Sequence, residues 1–187
     1  ELYAINPRRD VVQDVVSYPD VASVPGIVDL AIVVVPADAV IPAIQKCADA
    51  GVGAAIIFAS GFAEVGGPGR SAQEELTRIS RSSGMRILGP NCLGSFSSVT
   101  KAYATFSTAF DTPDGGQPPT SPIALVSQSG AVGTFTYSAM EALGVGVNYF
   151  ANTGNEADIT VVEILSALVD LKLSDGSYLV TGKNAAQ

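Results

Sequence analysis

The run Asp29-Leu30-Ala31-Ile32-Val33-Val34-Val35, stopped by Pro36, constrains the fold more than any other stretch of this chain. An apolar segment of strand length, rich in β-branched residues and without polar alternation, predicts a strand buried on both faces of a parallel sheet. Directly behind it, Val40, Ile41, Ile44, Cys47 and Ala48 recur at helical spacing, so residues 37–50 read as a helix closed by Gly51. Cys47 lies on that apolar stripe as a small core residue. Residues 54–58 form a second buried strand, with Ala59-Ser60-Gly61-Phe62 as its carboxyl-end turn. A loop with Gly66, Gly67, Pro68 and Gly69 follows, and Ser71 with Glu74 has the spacing of a capping box at the next helix start. Gly84 ends that helix, and residues 85–89 are a third strand, running into Gly89-Pro90-Asn91-Cys92-Leu93-Gly94. Three strands alternating with two helices predict right-handed crossovers and a doubly wound α/β sheet.

The flanking segments are less regular. Residues 2–5 are strand-like and the chain opens inside that strand, which reads as a piece of something longer; Asn6-Pro7 ends it and Arg8-Arg9 follow. Residues 11–25 are broken by Pro19 and Pro25 and read as loop with one short element. Residues 102–106 suit an edge strand. Prolines and glycines then cluster between Phe110 and Pro122, which places a domain boundary there, with one unit over 1–115 and a second over 120–187. The second unit opens with a buried strand, Ile123 to Val126, followed by Ser127-Gln128-Ser129-Gly130 and a helix with Val132, Phe135, Ala139, Met140 and Leu143 on one face. Gly144 ends it. A strand over 145–150, a polar turn Asn152-Thr153-Gly154-Asn155 and a helix over 159–169 come next, the helix carrying Val161, Val162, Leu165, Leu168 and Val169 on its apolar side. A short strand at 178–180 is the last regular feature.

Charge and composition narrow the chemistry. Ten basic against eighteen acidic residues give a net charge of −8, which argues against nucleic acid as a partner. No apolar run is long enough for a membrane span, and two cysteines cannot form a disulfide framework, so the expected setting is reduced and cytoplasmic. There is no histidine among the 187 residues. That removes the commonest general base and metal ligand, and any phosphohistidine on this polypeptide.

Two places can hold a ligand. A strand running into Ser127-Gln128-Ser129-Gly130 and then a helix aims unsatisfied N–H groups, two hydroxyls and a positive dipole end at one point, which suits a phosphate. Simple N-capping by Ser127 or Ser129 is the alternative, and a serine nucleophile lacks a base. The second place is distributed over the carboxyl-end turns, where ligands of open α/β sheets sit: Arg8-Arg9, Pro36-Ala37, Ala59-Ser60-Gly61 and Asn91-Cys92. Cys92 can equally be a packed thiol, and Gly-Pro-Asn-Cys no more than turn chemistry. Glu156 and Asp158 would suit a hard cation or simply face solvent; no metal site is assigned.

The segment Gly89-Pro90-Asn91-Cys92-Leu93-Gly94, followed by Ile123-Ala124-Leu125-Val126-Ser127-Gln128-Ser129-Gly130-Ala131, resembles the NDP-forming acyl-CoA synthetases, relatives of the succinyl-CoA synthetase α subunit. Ile5-Asn6-Pro7, Val34-Val35-Pro36-Ala37 and Ser60-Gly61-Phe62 fall where that family has matching segments, so the likeness covers about residues 2–170. Leu93 and Gln128 favour the ADP-forming acetate–CoA ligase branch. The resemblance implies a Rossmann-like CoA-binding domain, lacking its first strand and glycine-rich turn, and the start of a flavodoxin-like ligase domain. It implies that Arg8 or Arg9, Pro36, Phe58, Ala59 and Ser60 contact coenzyme A, with Asn91 and Cys92 near its thiol end. Ser127, Ser129 and Gly130 would hold the phosphoryl group. Acid, coenzyme A and ATP would be interconverted with acyl-CoA, ADP and phosphate through an acyl phosphate and a phosphohistidine. That histidine, ATP/ADP with Mg2+, and an ATP-grasp partner domain or subunit would lie elsewhere. The other readings are a CoA- or acyl-CoA-sensing domain of a protein lysine acetyltransferase, and a nicotinamide-binding Rossmann domain, disfavoured by the lack of Gly-x-Gly-x-x-Gly.

Overall fold

A computed structural model of the chain describes residues 1–111 and 120–171. The expected strand at 178–180 and most of the proline–glycine cluster lie outside the described residues. At the amino end β1 (Ala4–Ile5) pairs in parallel with β3 (Val15–Tyr18), which pairs antiparallel with β2 (Val11–Val12). Residues 11–18 are therefore a hairpin, not a loop. Its two-residue turn, Gln13-Asp14, has φ of 48° and 63°, the left-handed pair that matches strand twist. Neither residue is a glycine or asparagine, so the turn carried no sequence signal.

The central sheet is parallel, in the order β4 (Leu30–Val33), β5 (Ala54–Ile57), β6 (Arg86–Leu88). The crossovers are α1 (Ala37–Asp49) and α2 (Gly67–Ser83). Because the strand order advances in one direction, both right-handed crossovers lay their helices on one face, where α1 and α2 touch. Val40, Ile44, Leu76 and Ile79 there close over Val33, Ala55, Ile57 and Ile87 in one core, each side chain larger than alanine contributing about 1.5–3 kcal/mol of burial. The sheet is not doubly wound within its own segment. Its other face, Ile56 and Leu88, is covered instead by Ala104, Ile159 and Ile164 from later in the chain. That cover stops short of β4, whose Leu30 and Ile32 stay exposed, so this strand is not buried on both faces.

α2 begins at Gly67, with Pro68 in its first turn, and Ser71 and Glu74 lie inside it. Proline is pre-set for a first helical turn, and this start precedes the expected capping box by a full turn. Gly84, at φ +79°, caps the other end as expected.

The second sheet has the order β8 (Ala102–Thr105), β7 (Gly94–Ser97), β10 (Tyr149–Asn152), β9 (Ala124–Ser127). The β9–β10 pair is parallel and the others antiparallel. β7 was not foreseen, because Gly-Ser-Phe-Ser shows no apolar run. Its Phe96 centres an aromatic core with Phe110, Tyr137 and Phe150. α3 (Gly130–Ala142) presents Gly133 and Tyr137 to that core. Of the expected inner face Met140 packs against that core, whereas Val132, Phe135 and Leu143 are exposed. The reason is steric: a Cβ on Gly133 would sit 3.1 Å from Ser127 Cβ and 3.3 Å from the Phe150 ring, so only the glycine face can approach the sheet this closely. α4 (Val161–Asp170) packs through Ile164, with Val161, Leu168 and Val169 of the expected stripe half-buried and Val162 and Leu165 exposed.

Residues 155–159 bind the two sheets together. The N–H groups of Asn155, Ala157 and Ile159 donate to the carbonyls of Pro90, Gly89 and Ile87 at 2.9–3.0 Å, covering the open edge of β6. Arg86 pairs with Asp158 and Glu163 at 2.9 Å each, and Asp158 also accepts from the Ile87 N–H. This seam sets the carboxyl end of β6 beside the carboxyl ends of β9 and β10.

Candidate functional site

At that junction a cavity of about 620 Å³ opens, within the size range of small-molecule sites. One wall is the Asn91–Leu93 turn after β6, with Phe58 and Phe106; the opposite wall is the start of α3. The turn hangs on the neighbouring strand end: Asn91, at φ +56°, donates its N–H to the Ala59 carbonyl at 2.9 Å. Phe58 meets Phe106 edge-on, with ring centres 4.8 Å apart.

Cys92 is 2% exposed, and its Sγ lies 3.4 Å from the Ile57 carbonyl. Burial pushes its thiol up to about 11, so it is neutral at physiological pH. Of the two readings of this cysteine, the geometry supports the packed thiol. Cys47 is likewise buried in the first core, with its thiol raised by burial.

The Ser127–Gly130 turn divides its polar groups. Ser129 is the N-cap of α3, and its Oγ accepts from the Val132 N–H at 3.3 Å. Ser127 Oγ donates to the Ser129 carbonyl at 2.8 Å. Both hydroxyls therefore shape the turn. The first N–H groups of the helix, on Gly130 and Ala131, have no partner within it and stand at the cavity wall with the positive end of the dipole. Gly130 is required by proximity: a Cβ there would lie 2.8 Å from Leu93 Cγ.

Three polar residues that sequence reading passed over organise the cavity. Glu64, among the described residues the one charged residue of its lining, accepts from the N–H groups of Gly61 and Phe62 and from the Asn155 amide. Partial burial works to raise its carboxyl, but these donors outweigh that and hold it below the usual range. Asn155 also donates to Gln73 at 3.0 Å and accepts from the Asn91 amide at 3.3 Å. Asn152, also in the lining, is fully buried. The polar tips of 152–155 were visible as a turn, but nothing local showed that Asn155 meets Glu64, Gln73 and Asn91.

Of the expected ligand residues, Phe58, Asn91, Cys92, Ser129 and Gly130 line this cavity together. Pro36, Ala59 and Ser60 sit outside it, along the adjoining strand ends, where Ala37 Cβ lies 3.3 Å from the Cβ position of Gly61. Ser127 ends β9, two residues before the N-cap of α3. Arg8 and Arg9 follow β1 and are exposed, away from the cavity lining. Glu156 and Asp158 are committed to structural bonds, Glu156 accepting from Thr153 and the Val161 N–H. Among the described residues no group of three or more His, Cys, Asp or Glu could hold a metal, and no helix is long and apolar enough to cross a membrane.

Residues 1–97 match the CoA binding domain family, and residues 120–176 match the succinyl-CoA ligase like flavodoxin domain. The chain belongs to the CoA binding domain family. It is 35% identical over 171 residues to the α subunit of an ADP-forming acetate–CoA ligase II of Pyrococcus furiosus, covering 91% of this chain and 35% of that one. Among solved structures it superimposes on a Pyrococcus horikoshii protein with a TM-score of 0.82 at 34% identity, over 91% of this chain and 37% of that one. A dinucleotide-forming acetyl-coenzyme A synthetase of Ca. Korarchaeum cryptofilum, solved with phosphate and ADP, gives 0.80 at 36% identity, over 90% and 34%. The chain thus spans about a third of the length of that Pyrococcus furiosus ligase subunit. It carries a Rossmann-like CoA-binding domain and a succinyl-CoA ligase like flavodoxin domain, the fold class the sequence resemblance implied.

Proposed function

We propose that this segment binds coenzyme A along the carboxyl ends of β4–β6 and a phosphoryl group at the start of α3, as the CoA-handling part of an ADP-forming acyl-CoA synthetase. The observation that carries the reading is the single cavity shared by Asn91–Leu93 and Ser129–Gly130. Pro36, Phe58, Ala59 and Ser60 would flank the pantetheine arm, with Arg8 or Arg9 toward the phosphates of the nucleotide end. Its thiol would emerge at Asn91, while Gly130 and Ala131 N–H groups and the Ser129 hydroxyl hold phosphate. In the acyl-transfer step a phosphate oxygen attacks the thioester carbonyl, the C–S bond breaks, and coenzyme A leaves as its thiol with acyl phosphate as the other product. A carbonyl carbon between the two walls meets both reactants, and fixed N–H groups lower the barrier by positioning and charge.

The next transfer, onto histidine and then ADP, belongs to residues outside this chain, which has none. ATP/ADP and Mg2+ are assigned to an ATP-grasp domain or subunit, since the acidic residues near the cavity are engaged elsewhere. A cytoplasmic setting fits two buried, unpaired cysteines.

Calorimetry of the protein with coenzyme A, NAD and phosphate tests this reading. Micromolar coenzyme A binding with weaker or no NAD binding is expected. Preference for NAD, or a folded protein that ignores coenzyme A, overturns it.

A further inference from the structure

Asn152 ends β10, the strand between β7 and β9, and is fully buried. Its side chain makes three bonds, all to backbone. Oδ1 accepts from the Leu93 N–H at 2.6 Å, and Nδ2 donates to the carbonyls of Ser127 and Gln128 at 2.9 Å each. One amide thus ties the turn after β6 to the turn that opens α3. No other side chain of this size offers an acceptor on one side and two donors on the other. Aspartate would keep the Leu93 bond and set a carboxylate against two carbonyls; alanine would release all three groups. The same contact is closed sterically, because a Cβ on Gly130 would meet Leu93 Cγ at 2.8 Å and Cδ1 at 2.9 Å.

We propose that Asn152 is a positioning residue: it fixes the anion-binding start of α3 at a set distance from the Leu93 wall, so that phosphate and the thiol end of coenzyme A face each other across the cavity. The inference rests on the functional reading above and names the device that aligns its two halves. Its three side-chain bonds all go to the backbone of the two turns, so it acts on the ligands through them.

The test measures phosphate affinity, coenzyme A affinity and melting temperature on the protein carrying Asn152→Ala, Asn152→Asp, Gly130→Ala, and Gly130→Ala combined with Leu93→Ala. Wild type binding both ligands establishes the reading beneath; binding neither overturns that reading and this inference together. Asn152→Ala is expected to weaken phosphate by about tenfold or more, the equivalent of one buried hydrogen bond lost, with coenzyme A affinity nearly unchanged. Asn152→Asp does the same with added charge repulsion. Gly130→Ala weakens phosphate by pushing the helix off Leu93, and removing the Leu93 side chain restores part of the loss. A merely structural Asn152 would lower the melting temperature and leave phosphate affinity of the folded protein at its wild-type value. That result overturns the proposal. Where the Asn152 variants do not fold, the Gly130–Leu93 pair decides: no weakening by Gly130→Ala, or no recovery in the double variant, also overturns it.

Discussion

At the scale of single residues, Cys92 carries the clearest lesson. A cysteine at the end of a strand, beside the cavity where a thioester would react, invites a covalent role. Its sulfur instead points at the Ile57 carbonyl, and burial holds the thiol up to about 11. At pH 7 roughly one such thiol in ten thousand is ionised. Iodoacetamide at neutral pH should therefore leave both Cys92 and Cys47 unmodified in the folded protein and label both after unfolding. Mass spectrometry reads the outcome, and rapid native labelling of Cys92 would show an exposed thiolate. Glu64 is the complementary case: its sequence context held no hint of a site. Its partners come from its own turn and from Asn155, ninety-one positions away, and a contact of that separation leaves no local mark.

Among the elements, the pattern Ser/Thr-x-x-Glu has opposite outcomes at Ser71–Glu74 and at Thr160–Glu163. Thr160 and Glu163 form a complete capping box at the start of α4, each side chain bonded to the other's backbone. Ser71 and Glu74 match equally well and cap nothing, because Gly66, Gly67 and Pro68 had already launched α2 a turn earlier. Glycines decide approach in the same way. Gly94 opens β7 at φ +91°, and a Cβ there would lie 2.0 Å from the Ala104 carbonyl of the neighbouring strand. Gly94→Ala should cost more than about 2 kcal/mol, since both the backbone angle and the β7–β8 pairing are compromised. Urea denaturation measures this; a loss under half that size would mean the hairpin yields easily. The helix stripes misled for a related reason. Periodicity located α3 and α4, but in α3 the side that faces the sheet was set by Gly133 and Tyr137, a small and a large residue that fit the surface beneath.

Across the whole molecule, the two sheets meet along the seam of residues 87–90 and 155–159, and Arg86 with Asp158 and Glu163 closes its outer side. Burial alone would raise the Asp158 carboxyl, but Arg86, the Ile87 N–H and Ser80 hold it below its ordinary value. A carboxyl depressed in the fold contributes stability that is present above its unfolded value, near 4, and lost as pH falls through the folded one. Melting temperature should thus drop below about pH 4, and the Asp158→Asn variant should show a shallower fall with lower stability at pH 7. An unchanged acid slope in that variant would assign the loss to other carboxylates. The amino-acid sequence by itself determined the parallel strands β4–β6, the helices between them, the ligand-facing turns after the strands and the absence of a histidine. Each rests on local spacing, on breakers such as Pro36 and Gly84, or on composition. Only the tertiary structure decided that β7 and β8 join the later strands, that Ile159 and Ile164 roof the first sheet, and that Asn91, Asn152, Asn155 and Glu64 meet around one cavity. Those outcomes depend on surfaces matching across sixty to ninety residues of chain, and the energy of such a match belongs to the pair of surfaces, not to either segment.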